Sequence, residues 1–166
     1  MAKYKTIIGR AELIDFPARL LTDVPAKIDT GAYLSAIHAT DIKEVTRKGK
    51  KVLKFKLLGD HASYPYSREI EVPHFEIKTV ENSFGVKQER YTVKFKVKLA
   101  GKIFFSEFSL ADRSTKIFPI LLGRTFLNRR FMVDTDIAHI DRKLLKEKLK
   151  DWLAKDDKSD DEESVV

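Results

Sequence analysis

The sequence contains no cysteine, which removes disulfides, thiolate zinc sites and a cysteine nucleophile together. Its four histidines, at 38, 61, 74 and 139, stand far apart. No His-Glu-x-x-His occurs, so spacing alone offers no zinc motif. There is no glycine-rich phosphate loop, and hence no sequence basis for an ATP site in this chain. No apolar run approaches the roughly 20 residues of a membrane helix, and the N-terminus leads into a strand-like segment without a signal-peptide core. A cytoplasmic chain with no membrane partner is expected.

What is present fits one globular unit. The 166 residues are 43% hydrophobic and 34% charged, enough for a single core. The formal charge of +7 understates the folded part, because residues 155–166 hold two lysines against six acids, a net −4, leaving +11 on residues 1–154. Such a surplus attracts acidic partners, yet its pattern argues against nucleic acid. In Val93-Lys94-Phe95-Lys96-Val97-Lys98-Leu99 the lysines alternate with apolar residues, which places them on the outer side of a strand, where they also discourage edge pairing.

Short alternating segments recur along the chain. Strands are expected over residues 6–8, 11–15, 24–29, 34–39, 42–45, 52–58, 69–72, 75–80, 90–99, 102–110, 130–134 and 137–140, with hairpins across 47–51 and Ala100-Gly101. The fold class is therefore mostly β, a closed barrel or sandwich-like domain. Residues 141–154 read as a helix capped by Asp141, with Leu144, Leu145, Leu149, Trp152 and Leu153 on one apolar stripe. Residues 155–166, acidic and nearly free of large apolar side chains, read as a disordered tail. The expected division is a β-barrel domain with its helix at 1–154 and the tail at 155–166.

Two segments carry chemistry. After the strand ending near Ile28 comes Asp29-Thr30-Gly31, where a carboxylate able to do acid/base work sits in a turn that Gly31 leaves uncrowded. The same tripeptide also suits an ordinary turn in which Asp29 caps its own backbone. Ninety residues on, the apolar run Pro119-Ile120-Leu121-Leu122 ends in Gly123-Arg124.

An Asp-Thr-Gly turn followed at this distance by hydrophobic-hydrophobic-Gly-Arg resembles one lobe of a retropepsin-like aspartic protease. Further blocks extend the likeness over about residues 7–140: Ile8-Gly9-Arg10, residues 26–32, Ser35-Ala36-Ile37-His38-Ala39, Ser83-Phe84-Gly85, Glu89-Arg90-Tyr91, Asp112-Arg113 and Phe131-Met132-Val133-Asp134. In this order they are similar to the small retropepsin-like family labelled ATP-dependent zinc protease, some members of which are associated with ATP-grasp glutamate ligases. The resemblance implies a single-lobe retropepsin-like barrel. It implies a catalytic loop of Asp29, Thr30 and Gly31, a structural motif of Gly123 and Arg124, and substrate-binding groups Lys27, His38, Glu89, Arg90 and Arg113. Zinc enters by the label only; no cofactor or metal ligand is expected from the residues, and any ATP dependence would belong to a partner ligase.

In the aspartic mechanism two carboxylates share one proton, and a single lobe supplies one. The resemblance therefore implies a homodimer with two Asp29 groups meeting at the two-fold axis. Arginines in the matching blocks suit a carboxylate-bearing, glutamate-rich peptide. Lys27, two residues before Asp29 and on the same face of an extended strand, either sits beside the acid or runs to solvent. Two functions are expected from this: an aspartic-type peptidase or amidohydrolase, or a non-catalytic peptide-binding module partnering an ATP-grasp ligase.

Overall fold

The computed structural model describes residues 4–82 and 84–163. The strands are β1 (Thr6–Ile8), β2 (Ala11–Phe16), β3 (Leu21–Ile28), β4 (Ser35–Arg47), β5 (Lys50–Leu57), β6 (Arg68–Val72), β7 (Glu76–Glu81), β8 (Lys87–Leu99), β9 (Lys102–Ala111), β10 (Ile120–Leu122) and β11 (Phe131–Val133). The helices are α1 (Arg124–Leu127) and α2 (Arg142–Glu163).

Alternation decides which face of each strand is buried. In β8 Val93, Phe95, Val97 and Leu99 point inward while Lys94, Lys96 and Lys98 are exposed, as the period of two requires. Their inward faces meet in one core, where the rings of Phe16, Phe95 and Phe108 lie 5.7 to 5.9 Å apart. Each such fully buried side chain is worth about 1.5–3 kcal/mol relative to exposure.

The main sheet closes on itself. Its hydrogen-bonded path runs β10-β3-β2-β8-β9-β4, and β4 pairs again with β10, so the mostly-β, retropepsin-like architecture is realised as a ring-like sheet. Strand β10 is the closing piece. It runs parallel to β3, with Ile120 opposite Ala26 and Leu122 opposite Ile28, and antiparallel to β4, with Ile120 opposite Ile37. This register carries the end of β10, Gly123, to the turn that leaves β3 at Asp29.

Three expectations from sequence need correction. Residues 34–39 and 42–45 are not two strands but one, β4, which continues through a bulge between Thr40 and Lys43 where Asp41 takes a positive φ of 51°. Residues 137–140 form no strand. The chain turns there, Ile137 N–H donating to Asp134 O at 3.2 Å, and it meets β2 and its approach through Arg10 N–H to Ile137 O, His139 N–H to Ala11 O and His139 Nδ1 with the Glu12 carboxylate at 2.7 Å. Helix α2 does not stop at residue 154 but runs to Glu163, because no glycine or proline follows Leu153 to break it. The remainder of the expected tail, residues 164–166, lies outside the described residues.

The start of α2 follows the sequence closely. Asp141 Oδ1 accepts the N–H groups of Lys143 at 2.9 Å and Leu144 at 3.4 Å, the N-cap arrangement. Leu145 packs with Ala11 and Phe118 in a small apolar cluster separate from the main core. Of the predicted stripe, Leu145 and Leu149 are buried, whereas Leu144 and Leu153 face solvent. Among the described residues no helix is long and apolar enough to cross a membrane.

Candidate active site

Asp29 leaves β3 in a loop held on both sides. Its N–H donates to Leu122 O at 2.9 Å, and its Oδ1 accepts the Gly31 N–H at 2.9 Å. A Cβ at Gly31 would lie 3.2 Å from that same Oδ1, so glycine leaves room for the carboxylate over its own turn. Both features belong to an Asx-type turn, and they also fix the direction in which the acid points.

The Gly123-Arg124 segment grips this loop from beneath. Arg124 N–H donates to Ala32 O at 2.8 Å and Thr125 N–H to Tyr33 O at 2.9 Å. Arg124 Nη1 donates to Thr30 O at 3.1 Å, and its guanidinium lies 5.8 Å from the Tyr33 ring. Gly123 N–H reaches the buried Ser35 Oγ at 3.0 Å. A Cβ on Gly123 would stand 2.9 Å from Ala32 O and Leu34 O, so the approach requires glycine. Thus the structure brings Asp29, Thr30, Gly31, Gly123 and Arg124 together, with Thr30 engaged through its carbonyl.

Arg113 approaches from the connection between β9 and β10. Its Nε donates to Phe118 O at 3.0 Å. Burial pulls its guanidinium below the ordinary arginine value, the Arg90 charge adds to that, and the Asp29 carboxylate opposes it. Arg90 and Asp29 therefore each lie within electrostatic reach of Arg113. Arg90 itself is steadied by Gln88 Oε1, at 3.3 Å from Nε and 3.0 Å from Nη2. Glu89 is exposed on β8 and, with Arg90, Asp41 and Asp112, lines a cleft of about 580 Å³ between β4 and β8.

His38 is placed differently from a ligand contact. It is 1% exposed, and its Nδ1 accepts the Arg113 N–H at 2.8 Å. His61, 2% exposed, lies edge-on to it at 5.3 Å between ring centroids. The His61 Nδ1 accepts the Ser63 N–H at 3.1 Å, which leaves the proton on Nε2 to be donated to Arg113 O at 2.9 Å. Two buried imidazoles thus hold the N–H and the C=O of one residue. Burial lowers His38, with Asp112 opposing, and lowers His61 to about 4, with its hydrogen bond to Arg113 O opposing. Both rings are neutral at pH 7.

Lys27 is exposed on β3 and makes no ion pair with Asp29. It lines a separate cleft beside the start of α2. Ser83, in one of the matching blocks, lies outside the described residues.

Among the described residues no three His, Asp or Glu side chains gather to hold a metal ion. His38 lies beside His61 and Asp112, but His38 Nδ1 and both nitrogens of His61 are already engaged by backbone groups. This donor set does not fit the metal.

A ring-like β sheet with an Asp-Thr-Gly loop seated on a hydrophobic-hydrophobic-Gly-Arg segment is the layout of a retropepsin-like lobe. The chain belongs to the RimB-like family, described as retropepsin-like aspartic endopeptidase RimB, whose model matches residues 7–143. Curated relatives include a probable alpha-L-glutamate ligase from Shewanella pealeana, 29% identical over 81% of this chain and 29% of its own length. Another of the same name, from Desulfotalea psychrophila, is 28% identical over 78% of this chain and 28% of its own length. The chain thus spans less than a third of the relatives it matches. The crystal structure of Lpg0085, a protein of unknown function from Legionella pneumophila, superposes with a TM-score of 0.62 at 29% identity, covering 81% of this chain and 97% of that one.

Sequence reasoning missed His61, Ser35 and Phe118 as parts of the site. His61 lies 52 residues from the carbonyl it holds, and no local spacing signals such a contact. Ser35 was visible only as a member of a matching block. Its role depends on the close approach of Gly123.

Proposed function

We propose that this chain is an aspartic-type peptidase or amidohydrolase acting on acidic, glutamate-rich peptides, with Asp29 as its acid/base. The observation that carries the reading is the Asp29 carboxylate, fixed by Gly31 N–H on a loop clamped by Gly123-Arg124, with Arg113 in electrostatic reach of it and Arg90 in reach of Arg113. The active unit is a homodimer, because one copy holds one such carboxylate. The ionised Asp29 of one copy takes a proton from water as its oxygen attacks the amide carbon, and the protonated Asp29 of the other gives its proton to the carbonyl oxygen. Collapse of the resulting gem-diol breaks the C–N bond, with the proton passing to the leaving amine. Arg90 and Arg113 suit the flanking side-chain carboxylates. A cytoplasmic setting goes with this reading.

The test is incubation of the purified protein with a peptide ending in six glutamates, followed by mass spectrometry. Shortened products from the wild type and none from Asp29→Asn support the proposal. Equal products from both remove it.

A second reading draws on the relatives named probable alpha-L-glutamate ligase, which are more than three times as long as the region they share with this chain. On that reading the lobe is a non-catalytic module that holds a glutamate-bearing peptide for an ATP-grasp ligase. It predicts tight binding of the hexaglutamate peptide with no cleavage by the wild type.

A further inference from the structure

A cationic cleft of about 650 Å³ lies between β2, the end of β3 and the start of α2. Arg10, Lys27, Arg142 and Lys143 line it over a floor that includes Ile28, Phe118 and Ile140. Among the described residues none of these four cations has a carboxylate at salt-bridge distance. The one acid in the lining, Asp141, has its Oδ1 turned to the α2 amides of Lys143 and Leu144. Arg10 is oriented by a hydrogen bond from Nη1 to Thr135 O at 2.8 Å. Lining cations without carboxylate partners among the described residues, gathered over an apolar floor, are suited to an outside anion with an apolar stem.

This cleft is connected to the Asp29 loop rather than isolated from it. Lys27 and Ile28 are the last residues of β3 before Asp29, and Ile28 N–H is held by Arg10 O at 2.9 Å. Phe118 joins the two cationic groups, since its carbonyl accepts from Arg113 Nε at 3.0 Å while its side chain packs with Ala11 and Leu145 under α2. Asp29 thus follows directly on two lining residues of this cleft and lies within electrostatic reach of Arg113.

We infer that this cleft is a second recognition subsite, taking side-chain carboxylates of the same acidic peptide beyond the residues held at Arg90 and Arg113. The inference rests on the acidic-peptide reading above but does not need Asp29 to be catalytic. Aliphatic stems of glutamate side chains lie on Ile140 and Phe118, and their carboxylates meet the four cations. Helix α2 is then part of the substrate surface and sets how many acidic residues are read.

The experiment measures binding of a hexaglutamate peptide and a hexaglutamine peptide by calorimetry in the Asp29→Asn background, so that cleavage cannot intervene. The double variant Arg142→Glu/Lys143→Glu changes two exposed side chains, and Lys27→Gln provides a variant outside the helix. The expected result is hexaglutamate affinity about tenfold weaker in the double variant, severalfold weaker in Lys27→Gln, and a shallower salt dependence in both, from the loss of exposed ion pairs plus repulsion. Hexaglutamine binding should not change. Unchanged hexaglutamate affinity in both variants, or no hexaglutamate binding by the parent protein, overturns the subsite. Weaker binding by both variants, alongside cleavage that survives Asp29→Asn in the otherwise native chain, keeps the subsite and removes the peptidase reading.

Discussion

The backbone N–H of Arg113 donates to Nδ1 of His38 at 2.8 Å, so a buried imidazole sets the position of an arginine that stands within reach of Asp29. His38→Ala removes the acceptor and leaves a cavity. The expected loss is about 2–4 kcal/mol, read as a lower denaturation midpoint. His38→Asn, whose side-chain oxygen is a hydrogen-bond acceptor, should recover part of it. If both variants are as stable as wild type, His38 does not hold the loop.

The two buried imidazoles, His38 and His61, make stability depend on pH. His61 is lowered to about 4 in the folded protein by burial, against an unfolded value of 6.5, and burial lowers His38 as well. Between those values the unfolded chain binds more protons than the folded one, so stability is fully present above about pH 6.5 and falls as pH drops toward 4. The His61 contribution to that loss is about 3 kcal/mol. Urea midpoints measured from pH 7.5 to 4 should show the decline, and His61→Gln should flatten it.

Gly123→Ala tests the grip on the Asp29 loop. The added methyl meets Ala32 O and Leu34 O at 2.9 Å, and these are backbone atoms that cannot swing away. A destabilisation of about 1–3 kcal/mol is expected, together with loss of hexaglutamate cleavage even where the protein remains folded. Ser35→Ala, which strips the acceptor from a buried N–H at 3.0 Å, should cost about 1–3 kcal/mol. Full activity and stability in Gly123→Ala would mean that the loop is not held from below.

How much of this could be read from sequence depends on range. The strands β8 and β9 were legible because their alternation is local, and the cap at Asp141 because it reaches only two or three residues ahead. Asp29 and Gly123-Arg124 were legible as a pair because their spacing matched a known family. The bulge that fuses residues 35–47 into one strand was not, since a positive φ at Asp41 leaves no mark on the hydrophobic pattern. His38 enters the substrate-binding group only through its place in a matching block, which carries no information on burial; the fold shows it 1% accessible. The Arg10, Lys27, Arg142 and Lys143 cleft joins chain segments separated by more than a hundred residues, and no local spacing signals such a grouping.

The last prediction follows from the number of carboxylates. One copy of this chain offers a single Asp29, and the proposed chemistry needs an ionised and a protonated carboxyl at one water molecule. Specific activity on the hexaglutamate peptide should therefore fall as the protein is diluted below its dimer dissociation constant, with rate approaching the square of protein concentration. Mixing wild type with an excess of Asp29→Asn should lower the activity further, because most wild-type copies then sit in pairs carrying one competent acid. A mixing curve that tracks the fraction of wild-type homodimers, rather than the amount of wild-type chain, is the expected result, and analytical ultracentrifugation of the same samples gives the constant against which it is compared. Activity strictly proportional to wild-type concentration and indifferent to added Asp29→Asn would place the chemistry within a single copy, where Asp29 has Arg113 within electrostatic reach.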